Sequence, residues 1–464
     1  MQIPQSLLTS LQNVKGFNKE AFESVHHSGE QITSIRLNPN KLSATLQPVQ
    51  ILAGLNISAV DPVPWNTYGY YLLARPSFTA DPLLHAGAYY VQEASSMFLQ
   101  QVLQQTTDLT QPLKVLDLCA APGGKSTLIQ SLINEKSLLV SNEVIKTRVT
   151  VLAENITKWG ACNVIVTNND PKDFKRLPQY FDVIVVDAPC SGSGLFRKDA
   201  NALNEWSEDN VALCSQRQER ILADILPALK PGGVLIYSTC SFSPAEDEGI
   251  SDWLIKSLDL SSVRLQVKTG WSIVETNAPE SKAYGYRFYP DQLKGEGFFI
   301  AVFTKAKSAD TESGWGRSKL KSERLTPKEI EVLKPWLKNT GDFFFIKQQE
   351  EIIALPVNME KILADIQSAF YIKKAGVKLG TIIRSELIPD HELALSNIIN
   401  KAVAVIEVDK ETALQYLRRQ EIKLDINRTG WALITYLQLP LGWIKVLPNR
   451  INNYYPKEWR ILNK

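Results

Sequence analysis

Residues 114–126, KVLDLCAAPGGKS, decide the fold of this 464-residue chain. A short apolar run, long enough for one strand, leads without a break into Ala120-Ala121-Pro122-Gly123-Gly124-Lys125-Ser126, and TLIQSLI at 127–133 then continues as a helix. Glycines at such a strand-to-helix turn let the backbone approach a ligand closely, and the helix start offers unpaired N–H groups. A phosphate-binding loop would need a further glycine five residues before Gly124. That position is Cys119, which weakens the nucleotide-triphosphatase reading although VIVVD at 183–187 could pass for a magnesium-holding strand.

Outward from this stretch, strand-like runs alternate with helix-like segments: SLLVSNE (137–143), NVIVTNND (163–170), FDVIVVDAP (181–189), GGVLIYSTCS (232–241) and GFFIAVFTK (297–305). Alternation of this kind predicts an α/β fold with a parallel sheet covered on both faces. Glu143 closes the second strand, 20 residues after Gly123, where doubly wound folds carry the carboxylate that binds ribose hydroxyls. Asp170 ends the third strand, where a carboxylate can accept from an adenine amino group. Two acids with no arginine clamp suit an adenosine without phosphates, which points to S-adenosylmethionine over NAD or ATP.

The fourth strand ends in Asp187-Ala188-Pro189-Cys190 and the fifth in Ser238-Thr239-Cys240-Ser241, so one edge of the sheet receives both thiols. Carbon 5 of cytosine is too poor a nucleophile to attack a methyl sulfonium. Adding a thiolate at carbon 6 converts the ring into an enamine that can attack, and a second group must then move protons so that the thiol is released. Asp187 could hold the ring N3 and the exocyclic amine. A thiol with pKa ~8.5 is only about 3% ionised at neutral pH. Ser243-Pro244-Ala245-Glu246 has the form of a capped helix start, whose positive end would favour a thiolate at Cys240, while Glu246, Asp247 and Glu248 act in the opposite sense.

Five widely spaced cysteines without a Cys-x-x-Cys pair, and only four histidines, indicate neither a disulfide scaffold nor a metal site; Cys162 and Cys214 read as core fillers. No apolar run approaches the length of a membrane span and no signal peptide is legible, so the expected location is the cytoplasm. The net charge of +2 does not by itself mark a nucleic-acid binder, but residues 305–328 carry seven basic against three acidic side chains and 396–464 eleven against six. Residues 1 to about 85 form a leading module that dictates no chemistry, and SADTESGWGRSK (308–319) reads as a linker.

DLCAAPGGKS, DAPCSGSG and STCSFSPAEDE resemble three signature motifs of the RNA cytosine-C5 methyltransferases of the Sun and RsmF type. SIRLNPNK (34–41), AGAYYVQEASSM (86–97) and YRFYPDQLKGEGFFIA (286–301) extend the likeness over roughly residues 30–305. The resemblance implies a Rossmann-like class I methyltransferase core in which Cys240 attacks the base and Cys190 helps release product, whereas the DNA enzymes attack with their Pro-Cys thiol. It assigns the cofactor to Cys119, Ala120, Ala121, Pro122, Gly123, Gly124, Lys125, Glu143, Asp170 and Asp187, with Lys125 and Pro189 facing the target cytosine.

AGVKLGTIIRSELIPDHELALS (375–396) and NRINNYYPKEWRI (449–461) are similar to the RsmF branch, which ends in a PUA-like RNA-binding module and acts on small-subunit ribosomal RNA. The expected division is 1–85, an accessory RNA-binding module; 86–307, the methyltransferase; 308–325, a linker; 326–395, a first C-terminal module; and 396–464, the PUA-like module. Trp443, Lys445, Arg450, Tyr454 and Arg460 are candidate RNA contacts, FFF at 343–345 is expected in the core, and the expected state is a monomer bound to 16S rRNA or the 30S subunit. Transfer RNA as substrate, amine methylation and a noncatalytic ribosome-assembly role are the competing readings; the second would suit Asp-Pro-Pro-aromatic where Asp187-Ala188-Pro189-Cys190 stands.

Overall fold

The computed structural model describes residues 2–44, 46–55, 60–307, 318–425 and 427–462. Its central sheet contains five parallel strands, β1 (Lys114–Asp117), β2 (Leu138–Asn142), β3 (Val164–Thr167), β4 (Phe181–Asp187) and β5 (Leu229–Thr239), extended by β6 (Tyr284–Phe288) and β7 (Phe298–Lys305). The order across the sheet is β3-β2-β1-β4-β5-β7-β6, with β7 antiparallel to both neighbours. The chain therefore winds outward from β1 to β3, then crosses back to β4 on the other side of β1. Ligands in open α/β sheets bind where the winding reverses in this way, outside the carboxyl ends of β1 and β4.

Period-two alternation explains why these strands are apolar throughout. Leu116, Ile184, Val186, Leu235 and Tyr237 face one way, onto helices α3 (Glu208–Ile225) and α4 (Glu248–Leu258). Val115, Val183, Val185, Val234 and Ile236 face the other, onto α1 (Gly124–Leu132) and α2 (Lys146–Trp159).

The flanking regions are tied into this body. Strands Val60–Pro62, Gly69–Leu72, Thr33–Leu37 and Tyr89–Val91 form a four-stranded antiparallel sheet. Its Ile35 and Leu37 share a core with Tyr416, Ile434 and Ile444 of the last region, where Val405–Glu407 pairs parallel with Gly430–Tyr436, followed by Leu439–Leu447 and Arg450–Asn453. Between them lies a five-stranded sheet, Glu323–Arg324, Phe343–Gln348, Glu351–Pro356, Val377–Ile383 and Glu386–Pro389. The same region contributes a strand that the sequence pattern did not suggest: Ile372–Ala375 pairs antiparallel with β3 and covers that edge of the central sheet. Of the expected linker, residues 308–317 lie outside the described residues; Glu323–Arg324, at its far end, pairs with Phe343–Gln348.

Phe344 and Phe345 are buried, as FFF in a core requires. Trp443 corrects an expectation. It is fully buried against Trp336, with its indole N–H donating to the Asp390 carbonyl at 2.8 Å, so its ring has no face free to stack on a base. Tyr454 and Arg450 are exposed. No described helix is long and apolar enough to cross a membrane.

Candidate active site

The loop after β1 is shaped by Gly123, whose φ of +118° lies in the left-handed region and which caps α1. Residues Cys119, Ala120, Ala121, Pro122, Gly124 and Lys125 line a cavity of about 190 Å³ together with Asp187. Its opposite wall is Tyr90, Val91, Gln92, Glu93 and Ser96, from the AGAYYVQEASSM stretch, to which sequence reasoning had assigned no site role. Arg36, buried within SIRLNPNK, locks the two walls together by donating to Gln92 Oε1 at 2.8 Å and Thr127 Oγ1 at 2.6 Å. The motif likeness of both stretches was the available signal.

Ser126 is fully buried and its hydroxyl donates to Asp117 Oδ2 at 2.7 Å, so it is not presented to a metal as a phosphate loop would require. Burial lifts the Asp117 carboxyl to about 7 against the pull of that hydrogen bond and of Lys125. Lys125 Nζ pairs with Asp187 Oδ2 at 2.7 Å. Burial works against the lysine charge, but Asp187 and Asp117 outweigh it and hold the ammonium above its ordinary pKa. The other Asp187 oxygen accepts from Ser238 Oγ at 2.8 Å, leaving the side chain about one-third exposed at the cavity.

Glu143 is buried just past β2. Oε1 accepts from the Ile145 N–H at 2.9 Å, while Oε2 has no hydrogen-bond partner. An arginine does stand here, contrary to the clamp-free reading: Arg148 lies 3.5 Å from Glu143 Oε2, but its other branch donates to the Ala121 carbonyl and so braces the loop. Asp170 sits three residues beyond the end of β3, half-exposed, and its Oδ1 caps the following turn by accepting from Lys172 N–H at 3.1 Å. Glu143 and Asp170 lie outside the lining of the cavity itself. The Glu143 oxygen without a hydrogen-bond partner and the cavity beside the glycine-turned loop fit an adenosine-bearing methyl donor.

The two thiols follow from register. Asp187 in β4 pairs with Ser238 in β5, so Cys190 and Cys240 emerge three and two residues beyond the same rung. Their sulfurs are 3.2 Å apart and both are unbridged. Close approach of the loops depends on Gly194, whose N–H donates to the Cys240 carbonyl at 2.9 Å. Hydrogen bonding with Cys240, then burial, pushes the Cys190 thiol well above its ordinary pKa. Pro189 contributes its carbonyl to Gln218 Nε2 at 3.0 Å.

The helix expected to start at Ser243 begins instead at Glu248, preceded by turns, and its N-cap is Asp247. Ser243 Oγ has no hydrogen-bond partner, so the capping box does not form. Glu246 is drawn away by Ser191 and Ser241, while Asp247 and Glu248 are held by the buried Arg287 at 3.0 and 2.5 Å. A helix-start stabilisation of Cys240 is therefore not what these residues build. Behind the thiol loops, Phe242 and Phe196 pack on Leu7, Leu8, Leu11 and Phe22 from the first two helices, Gln5–Leu11 and Lys19–His27, a supporting role the sequence did not reveal.

A β3-β2-β1-β4-β5-β7-β6 sheet with a glycine-turned loop after β1 and a buried acid after β2 defines an S-adenosylmethionine-dependent methyltransferase. A solved methyltransferase homologue from Pyrococcus horikoshii superposes with a TM-score of 0.53 at 28% identity, over 65% of this chain and all of that one. NSun6 from Pyrococcus horikoshii shares the fold, with a TM-score of 0.53 at 19% identity over 66% and 99% of the two chains. Residues 103–304 match the 16S rRNA methyltransferase RsmB/F family, 3–94 the N-terminal domain of 16S rRNA methyltransferase RsmF, and 403–461 the methyltransferase RsmF PUA domain. Ribosomal RNA small subunit methyltransferase F of Shewanella loihica is 30% identical over 92% of this chain and 88% of its own length; that of Aeromonas salmonicida is 30% identical over 92% and 90%. The chain belongs to the ribosomal RNA small subunit methyltransferase F family.

Proposed function

We propose that this protein methylates carbon 5 of a cytidine in 16S rRNA through a covalent bond between Cys240 and carbon 6. The observation that carries this reading is the pair of thiols 3.2 Å apart, beside Asp187 and the cofactor cavity. A methyltransferase acting on an amine has no need of either thiol. The family match supports 16S rRNA as the substrate class, and the PUA match supports RNA binding by the terminal module.

In this reading the backbone of Cys119, Ala120, Ala121, Pro122, Gly123, Gly124 and Lys125 holds the methionine end of the methyl donor, Glu143 its ribose hydroxyls, Asp170 its adenine amine, and Asp187 borders its reactive end. When bound, S-adenosylmethionine supplies an electrophilic methyl group. Asp187, Lys125 and Pro189 orient the cytosine. The Cys240 sulfur forms a bond to carbon 6, and the electron pair so displaced makes carbon 5 nucleophilic. Once carbon 5 carries the methyl group, its proton must leave and the sulfur–carbon bond must break. Cys190 serves both needs: it passes its own proton to the departing Cys240 sulfur and takes the carbon 5 proton in return. The C–H electron pair becomes the restored C5–C6 double bond, and Cys240 later loses its proton to solvent.

The corresponding chain division is residues 1–85, 86–307, 308–325, 326–395 and 396–464, acting as a monomer in the cytoplasm where the ribosomal RNA is. The test is transfer from labelled S-adenosylmethionine to 16S rRNA and to 30S particles, with nucleosides identified by mass spectrometry. The expected product is 5-methylcytidine. Cys240→Ala is expected to abolish turnover, and Cys190→Ala to accumulate protein–RNA adduct. A Cys240→Ala enzyme that turns over, or adducts formed through Cys190, would overturn the role assignment.

A further inference from the structure

One buried carboxylate is shared by both thiol loops and has no part in the chemistry above. Glu246 is fully buried. Its Oε1 accepts from the N–H of Ser191, the residue after Cys190, at 2.8 Å, and from Gln218 Nε2 at 3.3 Å. Its Oε2 accepts from Ser191 Oγ and from the hydroxyl of Ser241, the residue after Cys240. The tether therefore grips each loop one residue beyond its thiol. Burial raises the Glu246 pKa, and the four donated hydrogen bonds act against that burial by favouring the ionised carboxylate.

Charge compensation lies elsewhere. Arg287, the buried cation of this region, pairs with Asp247 and Glu248, and among the described residues Glu246 has no ion pair of its own. The ionisable groups facing it are Cys190, Cys214, Tyr237 and Asp247, with Cys240 reached through its contact with Cys190. An uncompensated negative charge beside the Cys190 loop disfavours a second negative charge on that sulfur. A sulfur–sulfur contact of 3.2 Å needs one donor and one acceptor. With the proton kept on Cys190, Cys240 presents its lone pairs.

We infer that Glu246 is a positioning residue for the methyl transfer, holding the two thiol loops at their contact and keeping Cys190 as the protonated partner, so that Cys240 is the nucleophile and Cys190 the proton relay. This inference rests on the two-thiol reading of the site. Glu246→Gln conserves volume but turns an amide NH2 toward donors and removes the charge.

The experiment compares wild type, Glu246→Gln, Glu246→Asp and Ser241→Ala as full-length proteins. It reads 5-methylcytidine formation against pH and the rate at which iodoacetamide alkylates Cys190, mapped by mass spectrometry. Glu246→Gln is expected to lower kcat about 10- to 100-fold, with KM for S-adenosylmethionine within about threefold, and to shift the pH–rate profile and Cys190 alkylation about one unit toward lower pH. Glu246→Asp, which retains the charge, is expected to restore the profile with part of the rate. Ser241→Ala, which loosens the tether and keeps the charge, is expected to slow turnover without making Cys190 more reactive, and it reads the same proposal should Glu246→Gln fail to fold.

Wild-type kcat in Glu246→Gln, or a slower enzyme whose pH profile and Cys190 reactivity are unchanged, would overturn the inference. Wild-type protein that forms no 5-methylcytidine, or an active Cys240→Ala, would instead sink the underlying reading.

Discussion

Gly194→Ala tests whether contact between the two thiol loops controls the rate. A Cβ built on Gly194 would lie 2.5 Å from the Gly297 carbonyl oxygen, 2.7 Å from the Cys240 carbonyl oxygen and 2.9 Å from the Gly297 carbonyl carbon. All three are backbone atoms, so no side chain can swing aside. Ordinary contact needs about 3.5 Å, which obliges the Cys190 loop, the end of β5 or the start of β7 to move by roughly 1 Å. Overpacking of this kind costs about 1–3 kcal/mol, and the Gly194 N–H to Cys240 hydrogen bond adds about 1 kcal/mol if it is lost. Displacing a reacting group by about 1 Å costs on the order of 100-fold in rate. The expected outcome is a folded protein melting a few degrees lower, with kcat for 5-methylcytidine formation down about 100-fold and S-adenosylmethionine affinity near wild type. Transfer kinetics, isothermal titration and a thermal melt measure these three quantities. A variant within threefold of wild-type kcat would refute the idea that the spacing of the thiol loops limits the chemistry.

Two further outcomes follow from buried acids. Glu143→Gln removes the charged acceptor left without a hydrogen-bond partner after β2; a lost hydrogen bond to a charged group is worth about 1.5–3 kcal/mol, so the Kd for S-adenosylmethionine should rise roughly 10- to 100-fold while RNA binding is unchanged, and an unaltered Kd would remove Glu143 from the cofactor site. Glu296 is buried 3.8 Å from Arg197 with neither carboxylate oxygen hydrogen-bonded, and burial lifts its pKa to about 7. A raised native pKa favours the folded state below the unfolded value of about 4.3 and loses that contribution as pH rises through 7. Glu296→Gln should therefore melt above wild type at pH 8 and lose that advantage below about pH 4.3. A melting difference independent of pH would show that Glu296 does not titrate in this range.

The strands of the central sheet, the glycine-turned loop and the two strand-end thiols were legible in the sequence because each is a local pattern: apolar runs, a backbone conformation that favours Gly123, and cysteines at fixed offsets from Asp187 and Ser238. Each strand-like run from 114 to 305 falls on a strand of the sheet, the one at 232–241 starting three residues early, at Leu229. Patterns fail where a residue's partner is distant. Ser243-Pro244-Ala245-Glu246 satisfies the local rule for a helix start, yet Ser191, 55 residues from Glu246, competes for the carboxylate and wins, and the helix starts later. Trp443 and Tyr454 belong to one aromatic tail, but the first fills a core against Trp336 while the second is exposed.

What the sequence by itself determined, then, is the alternation of strands and helices, the chemical types at the strand ends and the family likeness, all properties of residues close together in the chain. Only the tertiary structure decided that Tyr90, Val91, Gln92, Glu93 and Ser96 wall the cavity beside the glycine-turned loop, that Ile372–Ala375 joins β3, and that the first two helices brace the thiol loops. Those contacts depend on which surfaces remain unburied after each module forms. That is set by packing across the whole molecule, and no short window of sequence records it.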